Sequence, residues 1–185
     1  NGNIKEKIEY GEVTASDFGS FVDLGTDKRV TSYNYATDPN NNILGAIYKT
    51  EIYDYGLNKI SENRMYYDNQ SLGNVLKGNK TKDSKWVQGS IYSDSNYQYN
   101  SYGLIDYTYD HYNKNETHYT YDAYNMYPKS VVNDLSQKTE YEYNYTTGSP
   151  SKVTKPNGAV ELIEYDGLGR NLCEFSFDPQ GGTLV

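Results

Sequence analysis

Apolar and aromatic residues alternate with polar residues over short stretches of the chain. In residues 139–145, Tyr141 and Tyr143 fall on one side of a predicted strand, whereas Glu140 and Glu142 fall on the other. No stretch shows the 3.6-residue period of an amphipathic helix, and five prolines and sixteen glycines interrupt the chain too often for long helices. The pattern predicts an all-β protein, an antiparallel meander of stacked β-hairpins.

One 22-residue unit is written four times without a gap, at 97–118, 119–140, 141–162 and 163–184. Its third position is tyrosine and its fourth is Asn or Asp, which gives the pairs Tyr99-Asn100, Tyr121-Asp122, Tyr143-Asn144 and Tyr165-Asp166. A fixed period of this length is typical of arrays whose units are too small to bury a face alone. We therefore predict an irregular β-hairpin region at 1–96 and regular repeats at 97–185, both in one continuous sheet.

The third unit predicts its strands most clearly, at 139–145, 151–155 and 160–165. Thr147-Gly148 joins the first two strands, and Pro156-Asn157-Gly158 reverses the chain into the third. Asn-Gly is a strong hairpin signal, because both residues tolerate the positive φ that hairpin turns require.

The region before the repeats predicts short strands up to residue 30, a strand before Asp38, and a longer strand over 43–55. Residues 69–85 are polar and contain glycine, so we predict a long loop there. Residues 38–42 place oxygen-bearing side chains at the first positions of a calcium loop. Ile43 and Lys49 stand where such a loop needs Gly and Glu, so this segment is predicted to be a turn.

Composition changes the picture in one respect. A mean hydropathy of −0.90 would favour disorder, but 23 of the 185 residues are tyrosine, and disordered segments are poor in aromatic residues. A tyrosine ring packs on a half-buried sheet while its hydroxyl stays in contact with water. We expect a thin, aromatic core.

Charge excludes several partners. The net charge of −8 argues against binding to nucleic acid or to anionic membranes. No apolar run is long enough for a membrane span.

Candidate catalytic and metal-binding residues are few. His111 and His118 fall in different predicted strands with no further Cys or His near them in sequence, so no metal site is predicted. Cys173, the single cysteine, is predicted to be a small buried hydrophobic residue. No nucleophile elbow, P-loop or dinucleotide motif is present, and we predict neither catalytic residues nor a cofactor. Exposed tyrosines and Trp86 suggest an alternative function, a carbohydrate-binding or cell-surface binding module, because aromatic faces stack on sugars.

The repeated tyrosine and its Asn or Asp have a structural explanation. The ring can pack on a tyrosine of the neighbouring strand, which contributes about 0.2–1 kcal/mol per pair. The Asp or Asn side chain can accept hydrogen bonds from amides two or three residues later and so fix a turn. Gly103, Gly148 and Gly169 fall where that turn needs positive φ.

Two segments resemble a known family. Glu164-Tyr165-Asp166-Gly167-Leu168-Gly169-Arg170, together with Lys152-Val153-Thr154-Lys155-Pro156-Asn157-Gly158, resembles the YD-repeat (RHS-repeat) proteins, in particular the repeat-entry region of Tc-toxin B subunits and SpvB/TcdB-like proteins. Asn replaces the family's Asp at Asn100 and Asn144, and Arg follows the turn glycine only at Arg170. Residues 177–182 do not match the aspartyl self-cleavage signature of such shells.

The resemblance implies a curved strip of a β-shell that encapsulates or presents a toxin or effector domain. The expected protein is a non-catalytic segment of a larger secreted or cell-surface YD-repeat protein. Its expected partners are the remainder of its own polypeptide, neighbouring β-strands and an encapsulated C-terminal domain. The alternative is a carbohydrate-binding or cell-adhesion module that uses exposed tyrosines, with a glycan as partner.

Overall fold

The structure is a computed structural model, and it describes residues 2–16, 19–110, 115–178 and 183–184. The predicted all-β class is confirmed: the described residues form β-strands joined by turns and contain no α-helix. The strands follow one another in antiparallel hairpins, as the meander prediction requires. The chain divides into two compact units, Asn1–Tyr97 and Gln98–Val185.

The first unit contains an antiparallel meander and a small separate hairpin. The strands that begin in this unit are β1 (Glu6–Glu9), β2 (Val13–Ala15), β3 (Phe21–Asp23), β4 (Arg29–Asp38), β5 (Ile43–Tyr53), β6 (Lys59–Tyr67), β7 (Lys80–Gln88) and β8 (Ile91–Tyr99). In the meander β1 pairs with β4, and β4 through β8 pair successively, each pair antiparallel. Strands β2 and β3 pair only with each other among the described residues.

The second unit is a regular meander in which each strand pairs antiparallel with the next. Its strands are β9 (Ile105–Tyr109), β10 (Thr117–Tyr121), β11 (Pro128–Asn133), β12 (Lys138–Asn144), β13 (Ser149–Thr154), β14 (Val160–Tyr165), β15 (Asn171–Phe177) and β16 (Thr183–Leu184). The prediction for β14 is confirmed in full, and those for β12 and β13 differ by one or two residues. His111 and residues 179–182, for which the sequence also makes predictions, lie outside the described residues.

The predicted loop at 69–85 is wrong at its C-terminal end, because residues 80–85 belong to β7. Polar composition is misleading here, since charged partners support the strand. The Lys80 ammonium lies 2.9 Å from the Asp83 carboxylate, and the Lys82 ammonium lies 4.0 Å from the centre of the Tyr66 ring.

Asp38 begins the predicted turn, and the turn is confirmed. Its carboxylate accepts a hydrogen bond from the Asn40 N–H at 3.1 Å and caps a 3-10 turn at Pro39–Asn41. Asn42 then adopts a left-handed conformation with φ 57°.

The core is thin. Among the described residues the buried hydrophobic side chains are Ala36 and Val75, and the buried polar ones are Thr31, Glu62, Thr81, Ser84 and Ser130. Cys173 is only partly buried, so its prediction as a buried residue is wrong. Its thiol lies 3.4 Å from the Glu164 carboxylate on the neighbouring strand, and burial together with that carboxylate raises the pKa of the thiol. None of the described residues forms a helix with the length and apolar character needed to cross a bilayer.

Candidate functional site

The repeated feature of the molecule is a tyrosine at the end of a strand, followed by an Asp or Asn that begins a turn. We call each such unit a Tyr-Asx corner. The described corners are Tyr53-Asp54, Tyr67-Asp68, Tyr99-Asn100, Tyr121-Asp122, Tyr143-Asn144 and Tyr165-Asp166.

The corner at Asp166 shows the turn geometry in full. The Asp166 N–H donates to the Arg170 carbonyl at 2.9 Å, and the Gly169 N–H donates to the Asp166 carbonyl at 3.0 Å. One carboxylate oxygen accepts the N–H groups of Leu168 and Arg170, each at 2.9 Å. The other oxygen accepts the Arg170 Nε–H at 2.6 Å. The backbone and side-chain hydrogen bonds from Arg170 hold the pKa of Asp166 below its ordinary value.

An amide oxygen replaces the carboxylate at Asn100 without changing this turn. The Asn100 side-chain oxygen accepts the N–H groups of Tyr102 at 3.0 Å and Leu104 at 3.1 Å. Gly103 and Gly169 both have φ 78°, the left-handed conformation that favours glycine. A neutral amide oxygen at Asn100 accepts the same two backbone N–H groups as the Asp166 carboxylate does. The turn therefore requires a side-chain acceptor oxygen and does not require a negative charge.

The corners at Asp122 and Asn144 vary the turn. The Asp122 N–H donates to the Tyr127 carbonyl at 3.0 Å across a turn that is one residue longer, and Asn125 adopts φ 53°. The Tyr145 hydroxyl donates to the Asp122 carboxylate at 2.6 Å, which raises the pKa of Tyr145 to about 12. The Asn144 side chain accepts the Thr146 N–H at 2.9 Å.

A β-bulge faces the corner tyrosine. Thr120 pairs with Ser130, but Tyr121 pairs with Pro128, so one residue of β11 is left over. The same shift occurs in β13 opposite Tyr143 and in β15 opposite Tyr165. In the first unit the register shifts likewise beside Tyr35, Tyr53 and Tyr67. Bulges bend a strand and disrupt the hydrogen-bond ladder locally.

Corner hydroxyls reach the backbone at these bulges. The Tyr165 hydroxyl donates to the Pro150 carbonyl at 2.9 Å, and Pro150 is the residue paired with Tyr143. In the first unit the Tyr67 hydroxyl donates to the Ile47 carbonyl at 2.6 Å, and Ile47 is paired with Tyr35. Each of these tyrosines thus bonds to the preceding strand where an earlier tyrosine faces a bulge.

The Tyr121 hydroxyl likewise bonds to a backbone carbonyl of the preceding strand. It donates to the Ile105 carbonyl of β9 at 2.7 Å. Tyr143 instead stacks on Tyr127, with ring centres 4.6 Å apart. Tyr99 is the last residue of β8. Arg170, the arginine that follows the turn glycine, donates its Nε–H to the Asp166 carboxylate.

Sequence reasoning missed the corresponding turn at Asn133. Its side-chain oxygen accepts the N–H groups of Leu135 at 3.1 Å and Gln137 at 2.9 Å, although no tyrosine precedes it. The signal was an 11-residue spacing of turn starts at Asp122, Asn133 and Asn144, half of the 22-residue unit. Two turns at this spacing, one at each end of a strand pair, make one repeat.

A buried carboxylate in the first unit was also missed. Glu62 is 3% exposed and accepts hydrogen bonds from the Lys59 ammonium at 2.5 Å, the Arg64 Nε–H at 2.5 Å and the Tyr92 hydroxyl at 2.9 Å. Burial alone would raise the pKa of Glu62, but these three donors lower it to about 2. The Arg64 guanidinium also lies 4.3 Å from the centre of the Tyr92 ring. We call Lys59, Glu62, Arg64 and Tyr92 the Glu62 network.

Both kinds of carboxylate are held by donors rather than poised for proton transfer. A general acid or base works best with a pKa near the operating pH, and the pKa shifts of Glu62 and Asp166 are in the opposite direction. No cluster of three His, Cys, Asp or Glu side chains suited to a metal ion occurs in the described part of the chain. The His118 ring stacks on Tyr107 at 4.3 Å and lies 3.5 Å from the Asp106 carboxylate.

The Trp86 ring is less available for stacking on a sugar than the sequence suggests, because it already has partners within the chain. The Lys59 ammonium lies 4.7 Å from the centre of the ring system, and the indole N–H donates to the Gly89 carbonyl at 2.9 Å.

No protein-family model and no curated protein matches this sequence. Solved structures do match. A crystal structure of TcdB2-TccC3-Cdc42 superposes with a TM-score of 0.63 at 11% identity, over 80% of this chain and 11% of that chain. A crystal structure of TcdB2-TccC3-TEV gives a TM-score of 0.65 at 11% identity, over 85% of this chain and 11% of that one.

A structure of the Photorhabdus luminescens Tc holotoxin pore gives a TM-score of 0.60 at 11% identity, over 80% of this chain and 10% of that chain. This chain therefore spans about a tenth of the length of the chains it resembles. The resemblance to Tc-toxin-type YD-repeat structures is confirmed at the level of the fold.

Proposed function

We propose that this chain is a non-catalytic wall segment of a larger YD-repeat protein, secreted or displayed at the cell surface. In this role it forms part of a curved β-shell that encapsulates or presents a toxin or effector domain. Its partners are the remainder of its own polypeptide and the β-strands that flank it.

The observation that carries the proposal is the fold likeness to the TcdB2-TccC3 structures, which extends over 80% of this chain. The corners add a physical argument. Asn100 and Asp166 make the same turn, which supports a structural role for the repeated acidic position as a hydrogen-bond acceptor. A wall segment needs repeated, stiff connections between strands, and the corners supply them.

The proposal is tested on the longest natural polypeptide that contains this chain. Electron cryomicroscopy is expected to show these strands in the wall of a hollow shell, with a flanking domain inside it. Limited proteolysis is expected to leave that enclosed domain intact until the shell is denatured. A free-standing closed domain on an accessible linker, with every flanking domain cleaved at once, would refute the proposal.

A second test uses the 185-residue chain alone. Unpaired strand edges recruit other strands, so a segment taken out of a shell wall is expected to self-associate as its concentration rises. Sedimentation velocity measures this directly. A stable monomer at all concentrations contradicts the assignment as a wall segment.

A further inference from the structure

The turn between β13 and β14 carries an asparagine followed by a glycine at its tip. The Lys155 N–H donates to the Ala159 carbonyl at 2.8 Å, and the Gly158 N–H donates to the Lys155 carbonyl, also at 2.8 Å. Gly158 has φ 84°, a left-handed conformation that favours glycine. Residues 155–158 are exposed to solvent, so water reaches the tip of the turn.

The Asn157 side chain supports this turn through its oxygen, which accepts the Ala159 N–H at 3.1 Å. A carboxylate oxygen can accept such a bond equally well. Asn100 and Asp166 demonstrate this in two other turns of the second unit, where an amide oxygen and a carboxylate oxygen each accept the N–H two residues later. The bond to Ala159 therefore survives if the Asn157 amino group is replaced by oxygen.

An asparagine that precedes a glycine readily loses this amino group. The backbone nitrogen of the following residue attacks the side-chain carbonyl carbon, and glycine has no Cβ to obstruct the approach. Asparagine is accordingly one of the thermolabile residues of proteins. Asn157 and Gly158 present this pair at an exposed position.

We propose that Asn157 deamidates spontaneously in the folded chain, at a rate that the turn restrains, and that the two products affect the β13–β14 hairpin differently. In the first step the Gly158 nitrogen bonds to Asn157 Cγ and the Cγ–Nδ2 bond breaks. Ammonia leaves with the proton of the Gly158 amide, and a succinimide ring remains. Water then opens the ring. The inference does not depend on a role in a shell wall.

The position of water attack decides the product. Attack at Cγ restores the original main chain with an aspartate at position 157. Attack at the main-chain carbonyl carbon instead leaves the chain running through Cβ and Cγ, which gives isoaspartate and adds one atom to the main chain. Aspartate keeps the acceptor for the Ala159 N–H. Isoaspartate changes the length of a turn that is closed by two backbone hydrogen bonds, so the adjacent pair of Thr154 with Val160 is expected to fray.

The hydrogen bonds of the turn oppose the first step. The Gly158 N–H points to the Lys155 carbonyl, and the Asn157 oxygen is held by Ala159, so both bonds must open before the nitrogen reaches Cγ. Exposed turns open locally at a small cost in free energy, which supplies the reactive conformation. Because each hydrogen bond contributes a factor of roughly five, the folded chain is expected to react at least about tenfold more slowly than the unfolded chain.

The test is incubation of the native 185-residue chain at pH 8 in H₂¹⁸O, followed by peptide mass spectrometry. Asn144 is the internal control, because its side-chain oxygen accepts the N–H two residues later, at 2.9 Å, but Tyr145 follows it. We expect ¹⁸O to enter at Asn157 at least about tenfold faster than at Asn144, because the residue after Asn157 has no side chain. Equal rates at the two positions overturn the proposal. A parallel incubation in guanidinium chloride should accelerate the reaction at Asn157, and an unchanged rate there also overturns it.

A variant and the aged protein separate the two products. Asn157→Asp carries the first product from the start and is expected to have the native midpoint in urea. Ion-exchange chromatography separates the aged species, and a protease that cleaves before aspartate but not before isoaspartate identifies them. The isoaspartate species is expected to have a lower urea midpoint and faster hydrogen exchange at the Ala159 amide. A midpoint for Asn157→Asp as low as that of the isoaspartate species contradicts the proposal.

Discussion

The two units build the same antiparallel meander by different means. In the second unit, the corners recur at a constant interval, and side-chain oxygens and tyrosine hydroxyls bond to the backbone around them. In the first unit, the Glu62 network joins β6 to β8 through a buried carboxylate with three donors. The second unit thus relies on turn hydrogen bonds and tyrosine hydroxyls, and the first unit adds a buried carboxylate with three donors.

The difference does not arise because the first unit lacks corners. Tyr67 bonds to the Ile47 carbonyl there as Tyr165 bonds to Pro150 in the second unit, and Asp54 accepts the Asn58 N–H at 2.8 Å. What varies is the length of chain between corners, which includes the loop at 68–79. The Tyr-Asx corner therefore also forms in the first unit, where the sequence has no regular period.

Removing the Glu62 carboxylate is expected to have the largest effect. Deleting one partner of a buried ion pair leaves charges without compensation and commonly costs 3–5 kcal/mol, so Glu62→Ala should destabilise the first unit by about 4 kcal/mol. Hydrogen–deuterium exchange should show the loss in β6 to β8 and not in β12 to β14. The control is Glu140→Ala, an exposed carboxylate paired with Lys138, for which a change below about 1 kcal/mol is expected. Equal effects of the two substitutions would erase the distinction drawn between the units.

Lowering the pH should reduce the free energy of unfolding of the first unit, because Glu62 becomes protonated. The pKa of Glu62 falls from 4.5 to about 2 on folding, so the unfolded chain binds the proton more readily. The resulting stabilisation, about 3 kcal/mol, is fully present above pH 4.5 and is lost as the pH falls through 2. Denaturant titrations between pH 6 and pH 2 measure it. Glu62→Gln should show a flatter acid dependence, and an unchanged slope in that variant would contradict the assignment.

Deleting one corner hydroxyl should have an intermediate effect in either unit. Tyr165→Phe and Tyr67→Phe each remove one hydrogen bond to a backbone carbonyl and should cost about 1 kcal/mol. Tyr102→Phe is the control, because that side chain is 70% exposed and lies at the tip of a turn. Urea denaturation of the three variants provides the comparison. A loss for Tyr102→Phe as large as for Tyr165→Phe would show that the hydroxyl bonds are not what stabilises the corners.

A similar loss of stability is expected when the corner glycine is replaced. Gly169→Ala places a side chain at φ 78°, and the new methyl would meet Thr147 only at ordinary contact distance, 3.7 Å. The expected loss of about 1 kcal/mol is therefore a backbone effect. Thermal unfolding followed by circular dichroism measures it, and Gly167→Ala, at a glycine without positive φ and with open space around it, is the control.

The smallest effect should have the opposite sign. Leu57 occupies the matching position of the Asp54 turn, with φ 60° and a side chain that is 73% exposed. Leu57→Gly should stabilise the first unit by about 0.5 kcal/mol, because relief of the left-handed strain exceeds the entropy that glycine loses on folding. Denaturant titration can resolve the sign. Destabilisation would mean that the Leu57 side chain contributes contacts that outweigh the strain.

The sequence predicted the local structure well. Alternation of Tyr141 and Glu142, the turn at Asn157-Gly158 and the Tyr-Asx period were sufficient to predict the strands of the third repeat and the all-β class. These signals work because turn residues act over three or four positions of the chain. Charge patterning is less informative, because the polar composition of residues 80–85 predicts a loop where β7 forms.

Only the tertiary structure revealed what lies opposite each corner. A bulge depends on how two strands pair, and the skipped residue beside Pro128 has no mark of its own in the sequence. Glu62 appears as one of 25 acidic residues until β6 and β8 bring Tyr92, thirty positions away, to its carboxylate. The sequence by itself thus determined where the strands turn, since turns are local. Strand pairing across the sheet decided which carboxylate is buried and which carbonyl each tyrosine reaches, because those contacts join residues far apart in the chain.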